Sequence, residues 1–181
     1  MKCKRAGWYD MLKKKKERAM KLTDEGFDEL IRDVISTAEF IGTKQHRHHI
    51  KSNVYDHSIK VAWLCYRHCK RYGIDVNLRE VVRGALLHDL YLYDRHDRHP
   101  SHRHHGTRHP RRALENARRI YADLSETECD IILHHMFPLT WPAPRTREGR
   151  LVCFYDKLAA IGDYFGKDRW SKQKKNGGAP Q

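Results

Sequence analysis

Apolar residues in this chain recur at intervals of three and four, and segment after segment of that pattern carries or ends in a histidine or an aspartate. A 3.6-residue period of this kind restricts the fold to packed α-helices. Phe27, Leu30, Ile31, Val34, Ile35, Ala38 and Ile41 mark one helical face running to Gly42. His57, Val61, Leu64, Cys65 and His68 form the stripe of a second helix, stopped by Gly73. Asn77 with Glu80 reads as an N-cap and its reciprocal partner, and Leu78, Val81, Val82, Ala85 and Leu86 carry the next apolar face to His88 and Asp89. A long polar loop, Asp94 to Arg112, leads to Pro110, whose fixed φ suits a first helical turn, ahead of Ala113, Leu114, Ala117, Ile120 and Tyr121. Ser125 and Glu128 make a capping box for the segment of Ile131, Ile132 and Leu133, which ends in His134 and His135. Leu151, Val152, Tyr155, Ala159 and Phe165 give a last helix with Asp156 in its middle. No strand alternation of any length and no internal repeat is visible, so the expected class is all-α, a bundle of about five to seven helices.

A length of 181 residues, 39% of them hydrophobic, suits a single domain with a real core. Its expected extent is residues 23–166. A basic extension (1–22) precedes it and a basic tail (167–181), expected to be disordered, follows. The longest nonpolar run, Val61 to Tyr66, is far short of the ~20 residues that span a bilayer, and Lys13 to Lys16 are followed by no apolar stretch of a secretion signal. Five cysteines without a C-x-x-C pair suggest neither a disulfide framework nor a zinc ribbon, so a reducing cytoplasm is the expected setting. The formal charge of +13 is the electrostatic footprint of polyanion binding, and a secondary contact with RNA, DNA or polyphosphate is one expectation from it. The charge is spread over both termini and the Arg-rich loop, however, and Tyr91, Tyr93, Trp141 and Trp170 are too scattered to form a base-stacking platform.

The chemistry is written where apolar segments meet polar residues. A carboxylate buried without a partner costs several kcal/mol, so Asp156, between Tyr155 and Leu158 on an apolar helix, requires a cation or donors. The pairs His88–Asp89 and His134–His135 stand where apolar segments end, and imidazole and carboxylate are the usual ligands of zinc, manganese, iron and cobalt.

In this order along the chain, His57, then His88 with Asp89, then a distant Asp156, the sequence resembles the HD-domain metal-dependent phosphohydrolases, whose core is a bundle of about five helices. Members with two metals add a histidine after the His-Asp pair and then a His-His pair, and His109 and His134 with His135 look like those. The resemblance implies a first metal held by His57, His88, Asp89 and Asp156, with Asp89 bridging to a second held by His109, His134 and His135. Two divalent transition-metal ions (Fe, Mn, Zn or Co) are the implied cofactors, and a small phosphorylated substrate, with nucleotides as one candidate class, the implied partner. Two such ions can generate a hydroxide at neutral pH and stabilise both attacking and leaving oxygens. Asp89, His105 and Arg108 are therefore the expected reacting residues. Arg111, Arg112 and Lys157 are the expected phosphate contacts. His105 or His104 is a candidate proton donor to the leaving group, and His46, His48 and His49 stand in a loop that could border the pocket.

Two departures narrow the resemblance. The lysine that often follows the His-Asp pair is absent, since the chain reads Leu90, Tyr91, Leu92, Tyr93, Asp94. The Gly-Tyr-Pro stretch of the cyclic-di-GMP-degrading branch is absent too. The same ligand order also resembles di-iron oxygenases similar to myo-inositol oxygenase, but these generally have one histidine where this chain has His134 and His135. A third alternative is a nucleic-acid-binding protein with a structural metal site.

Overall fold

The computed structural model describes residues 26–49, 52–93 and 104–165, which form seven helices and one short hairpin. The expected first helix is broken into α1 (26–35) and α2 (Ala38–Gly42). Thr37 causes the break. Its hydroxyl donates to the Val34 carbonyl at 2.9 Å and accepts the Phe40 N–H at 3.3 Å, so one side chain closes one helix and caps the next. A single 3-10 turn (Thr43–Gln45) leads into β1 (Arg47–His49), which pairs antiparallel with β2 (Ser52–Asn53). This hairpin is too short to show as strand alternation. It is closed at its base by the Val54 N–H on the His46 carbonyl at 3.0 Å.

Helix α3 (Val54–Tyr72) starts at Asn53, whose side-chain oxygen takes the Asp56 N–H at 2.7 Å, and stops at Gly73 with φ 60°, a conformation that strains any residue with a Cβ. Helix α4 (Leu78–Leu87) is capped by Asn77, but the reciprocal acceptor is not Glu80. Glu148, from the last helix, takes the Asn77 N–H at 3.4 Å. Helix α5 (His105–Ile120) begins well before Pro110, contrary to expectation. A proline there deprives only the Gly106 carbonyl of its bond, within a turn of the helix start. Helix α6 (Glu126–His134) has both halves of the expected capping box, and α7 (Arg147–Phe165) carries Asp156.

Helices α3, α4, α6 and α7 pack on one another and α5 lies against α6. Their apolar stripes meet in one core: Val61, Ala62 and Cys65 from α3, Val81, Val82, Ala85 and Leu86 from α4, Ile131 and Ile132 from α6, and Val152 and Ala159 from α7. Each fully buried aliphatic of the size of Ile131 contributes roughly 2–3 kcal/mol. Helices α4 and α6 approach so closely that a Cβ on Gly84 would lie 2.6 Å from Ile131 Cδ1 and 3.1 Å from Ile131 Cβ. The same two helices are clamped by Arg83, which grips the buried Glu128 carboxylate with Nε and Nη2 at 2.5 and 2.7 Å. Their C-terminal ends, the His88–Asp89 and His134–His135 pairs, are thereby set side by side. Cys65, Cys69, Cys129 and Cys153 are buried free thiols. Among the described residues no helix is long and apolar enough to cross a membrane.

Candidate metal centre

Three of the expected histidines are aimed by their own helices. His88 and His135 each cap a helix C-terminus, and their Nδ1 atoms face the carbonyls of Ala85 at 2.7 Å and Ile132 at 2.8 Å. His109 faces the His105 carbonyl with Nδ1 at 2.8 Å. A carbonyl only accepts, so the proton of each ring belongs on Nδ1 and the lone pair on Nε2 is turned inward. His57 differs: Nε2 lies 3.0 Å from Asp156 Oδ1 and Nδ1 lies 3.3 Å from Asp163 Oδ2. Asp163 also holds the buried Lys60 ammonium at 2.6 Å.

Asp89 lies at the centre and divides its two oxygens. Oδ1 faces His109 Nε2 at 3.1 Å and His135 Nε2 at 3.5 Å. Oδ2 faces His48 Nε2 at 2.8 Å and His88 Nε2 at 3.6 Å, and the latter is also 3.6 Å from Asp156 Oδ1. The structure thus brings together His57, His88, Asp89, His109, His135 and Asp156, and adds His48. His134 points elsewhere with one nitrogen: Nδ1 is 2.8 Å from Asp130 Oδ1, and the ring is not part of the cleft wall. Asp130 in turn accepts the N–H groups of Arg145 and Thr146 and the Thr146 hydroxyl. A carboxylate on Nδ1 is the usual outer support of a ligating histidine and leaves Nε2 as the available donor.

The donor set fits metal ions on two observations. His88 Nε2 and Asp89 Oδ1 are buried with no hydrogen-bonding partner of good geometry, although His109 and His135 approach Asp89 Oδ1 at 3.1 and 3.5 Å. His109 and His135 present Nε2 to each other at 2.9 Å. With both rings neutral and protonated on Nδ1, these are two facing lone pairs, which repel unless a shared proton or a metal ion lies between them. Two ligand nitrogens about 2.1 Å from one ion and at right angles are about 3 Å apart.

Charge is tightly coupled here. Burial alone raises the Asp89 and Asp156 carboxyls, but the imidazoles around them outweigh it and hold both well below the usual carboxylate range. Burial alone lowers His57, yet its hydrogen bonds to Asp156 and Asp163 raise it to about 9. His135, with less carboxylate support, is pushed down by burial. A consequence follows for the metal-free protein. A histidine raised from 6.5 to about 9 contributes stability in full below pH 6.5 and loses it as pH rises through about 9. The melting temperature of chelator-treated protein should fall across that window, and the fall should be smaller in His57→Gln, where only His88, raised by Asp89 and Asp156 against its burial, still contributes in the same sense.

A cleft of about 490 Å³ opens onto the centre, lined by His48, Asp89, His105, His109, His135, Asp156 and Lys157, with Met136, Pro138, Leu139 and Ala160 as its apolar side. Lys157 Nζ donates to the carbonyls of His135 at 2.8 Å and Cys153 at 3.1 Å. His105 stacks on His109 with ring centroids 4.6 Å apart and accepts or donates at Nδ1 to the Tyr93 hydroxyl at 2.8 Å. Arg108 and Arg111 are exposed on α5 and do not line the cleft. Arg112 lies over the Tyr93 ring at 5.0 Å. The histidines His96, His99 and His102, and Asp94, lie outside the described residues, as do both basic termini.

Sequence reasoning missed Asp163, Lys60 and Asp130, and left His48 among several loop histidines. Asp163 could have been found seven residues after Asp156, the spacing that returns to one helical face.

Comparison with curated proteins and with solved structures returns no match. The family profile described as HD domain matches residues 54–161, more than half of the chain, and takes in His57, His88, Asp89, His109, His134, His135 and Asp156. With an all-α bundle that gathers histidines and aspartates of this order into buried donor clusters, the chain belongs to the HD domain family.

Proposed function

We propose that the protein is a metal-dependent phosphohydrolase, acting at two divalent ions on a small phosphate ester, with nucleotides as the leading substrate class. The observation that carries this reading is the division of Asp89: one oxygen faces His109 and His135, the other faces His88 beside Asp156 and His57. One buried carboxylate with a histidine set on each oxygen is the arrangement of a bridge. His57, His88, Asp156 and Asp89 Oδ2 would hold one ion, and His109, His135 and Asp89 Oδ1 the other, with His134 Nε2 as its further donor. Bound divalent ions supply activation of water and neutralisation of phosphoryl charge.

The chain's own residues prepare the rest. Lys157 places a cation on the cleft wall next to Asp156, fixed by two carbonyls of its surroundings, where it can receive a phosphate oxygen. His105, ordered by Tyr93 and by stacking on His109, is in place to give a proton to a leaving oxygen from its side of the cleft. The apolar wall of Met136, Pro138 and Leu139 suits the organic part of the ester, and about 490 Å³ is the volume of a small-molecule site.

The test is to purify the full chain without chelator, quantify iron, manganese, zinc and cobalt, and assay nitrophenyl phosphate mono- and diesters and a nucleotide panel in the metals found. Two ions per chain, with hydrolysis at least about 100-fold above the stripped protein, is the expected result. Two ions with no hydrolysis of any ester, together with oxygen consumption, would overturn it in favour of oxygenase chemistry.

A further inference from the structure

The ligands carried by helices do not account for His48. It lies on β1, in the hairpin ahead of α3, nine residues before His57. Its ring stacks on the His57 ring with centroids 3.8 Å apart and planes 25° from parallel. Its Nε2 reaches Asp89 Oδ2 at 2.8 Å, closer than His109, His135 or His88 comes to that carboxylate. The residue is 7% exposed and lines the cleft beside Asp89 and Asp156. One donor atom each from His48, His57 and Asp89 lie within 4.8 Å of one another.

We infer that His48 is a metal ligand in its own right, binding through Nε2 the ion held on the Oδ2 side of Asp89 by His57, His88 and Asp156. The inference rests on the metal reading proposed above and extends it to a residue outside the matched 54–161 segment. Three features carry it. Donor atoms of one ion, each about 2.0–2.2 Å from it, lie within about 4.4 Å of one another, and the atoms of this trio, all within 4.8 Å, come close to that span before any ion draws them in. Stacking against His57 fixes the plane of the His48 ring so that its Nε2 edge meets the same carboxylate that His88 meets. The hairpin is also anchored on both sides, by the His46 carbonyl on the Val54 N–H and by the Asn53 cap of α3, so the ring is delivered to the centre by a short, tied segment.

The consequence is an unequal pair of ions. The Oδ2 side has His48, His57, His88, Asp156 and Asp89, and is nearly closed by protein. Residues of both sides line the cleft, but the Oδ1 side has fewer protein donors, which leaves the exchangeable positions for water and phosphate there.

The competing role for His48 is a hydrogen bond to Asp89 alone. His48→Gln separates the two, since a glutamine amide can still donate to Asp89 but does not replace an imidazole as ligand. The full chain, loaded with Co²⁺ alone, is read by visible absorption, by chelator competition and by proton NMR of the strongly shifted imidazole N–H signals. His48→Gln and His48→Ala should both lose one shifted N–H resonance, change the cobalt bands, and bind the tighter ion about 10–100-fold more weakly. Free imidazole added to His48→Ala should restore the bands. A His48→Gln protein with the wild-type spectrum and affinity would overturn the inference while leaving the metal reading intact. A wild-type chain that takes up no Co²⁺ overturns both.

Discussion

Replacing Asp89 by alanine should strip the protein of both ions and reduce phosphate-ester hydrolysis on the order of 10³-fold or more. Asp89 is 3% exposed and is approached by the Nε2 atoms of His48, His109, His135 and His88 at 2.8, 3.1, 3.5 and 3.6 Å. Its negative charge is what makes that concentration of imidazoles tolerable, and each of its oxygens belongs to a different group of them. Among the described residues no other carboxylate is placed to substitute: Asp156 faces His57 and His88, and Asp163 lies behind His57. His109→Ala, by contrast, removes a donor from the Oδ1 side alone and should leave about one ion per chain. Elemental analysis of the two variants, alongside circular dichroism to show that each is folded, decides the matter. An Asp89→Ala protein that keeps the wild-type metal content would end the bridging assignment.

Arg83→Ala is expected to be the most destabilising single change outside the centre, by about 3–5 kcal/mol, with a fall in melting temperature of roughly 10 °C. Arg83 holds Glu128 through two nitrogens and reaches Asp123 with Nη1 at 3.0 Å. Glu128 is 1% exposed, so removing the guanidinium leaves a carboxylate buried without its cation. The capping box is no substitute, because its Ser125 N–H offers one hydrogen bond and no charge. Replacing both partners, as in Arg83→Met with Glu128→Leu, should cost much less, since no charge is then stranded. Thermal unfolding of the single and double variants measures the difference. Metal affinity should fall with the single change as well, because the pair fixes the register of the two helices that end in His88–Asp89 and His134–His135.

Most of the centre was legible because its residues interrupt an apolar pattern. A histidine or aspartate on an apolar helical stripe or at its end must lie near the core, and His57, His88, Asp89, His135 and Asp156 all do, whereas His109 was legible only through the family resemblance. His48 was not legible in the same way. It sits among His46 and His49 in a segment without periodicity, where nothing local distinguishes a ring that turns inward from one that does not. Proximity in sequence also misled. Arg108 adjoins His109, but successive residues on a helix are about 100° apart, and here that step turns Arg108 out to solvent. Helix ends were read well where capping chemistry is specific, as at Ser125, Asn77 and Gly73. The break at Thr37 was not read, because the apolar spacing continues across it and only the hydroxyl's hydrogen bonds reveal the competition.

The carbonyls that orient His88, His109 and His135 lie three or four residues earlier in each ring's own helix. Ring orientation is therefore a property of each helix before it meets the others. The donors are preorganised locally, and assembling the centre requires only that three stiff helices come into register, without freezing side-chain rotation at the last step. An ion bound there acts as a tie between helix ends. It is retained while α4, α5 and α6 keep their mutual positions and is released when any one of them slides, which makes metal retention a gauge of how faithfully the bundle is docked.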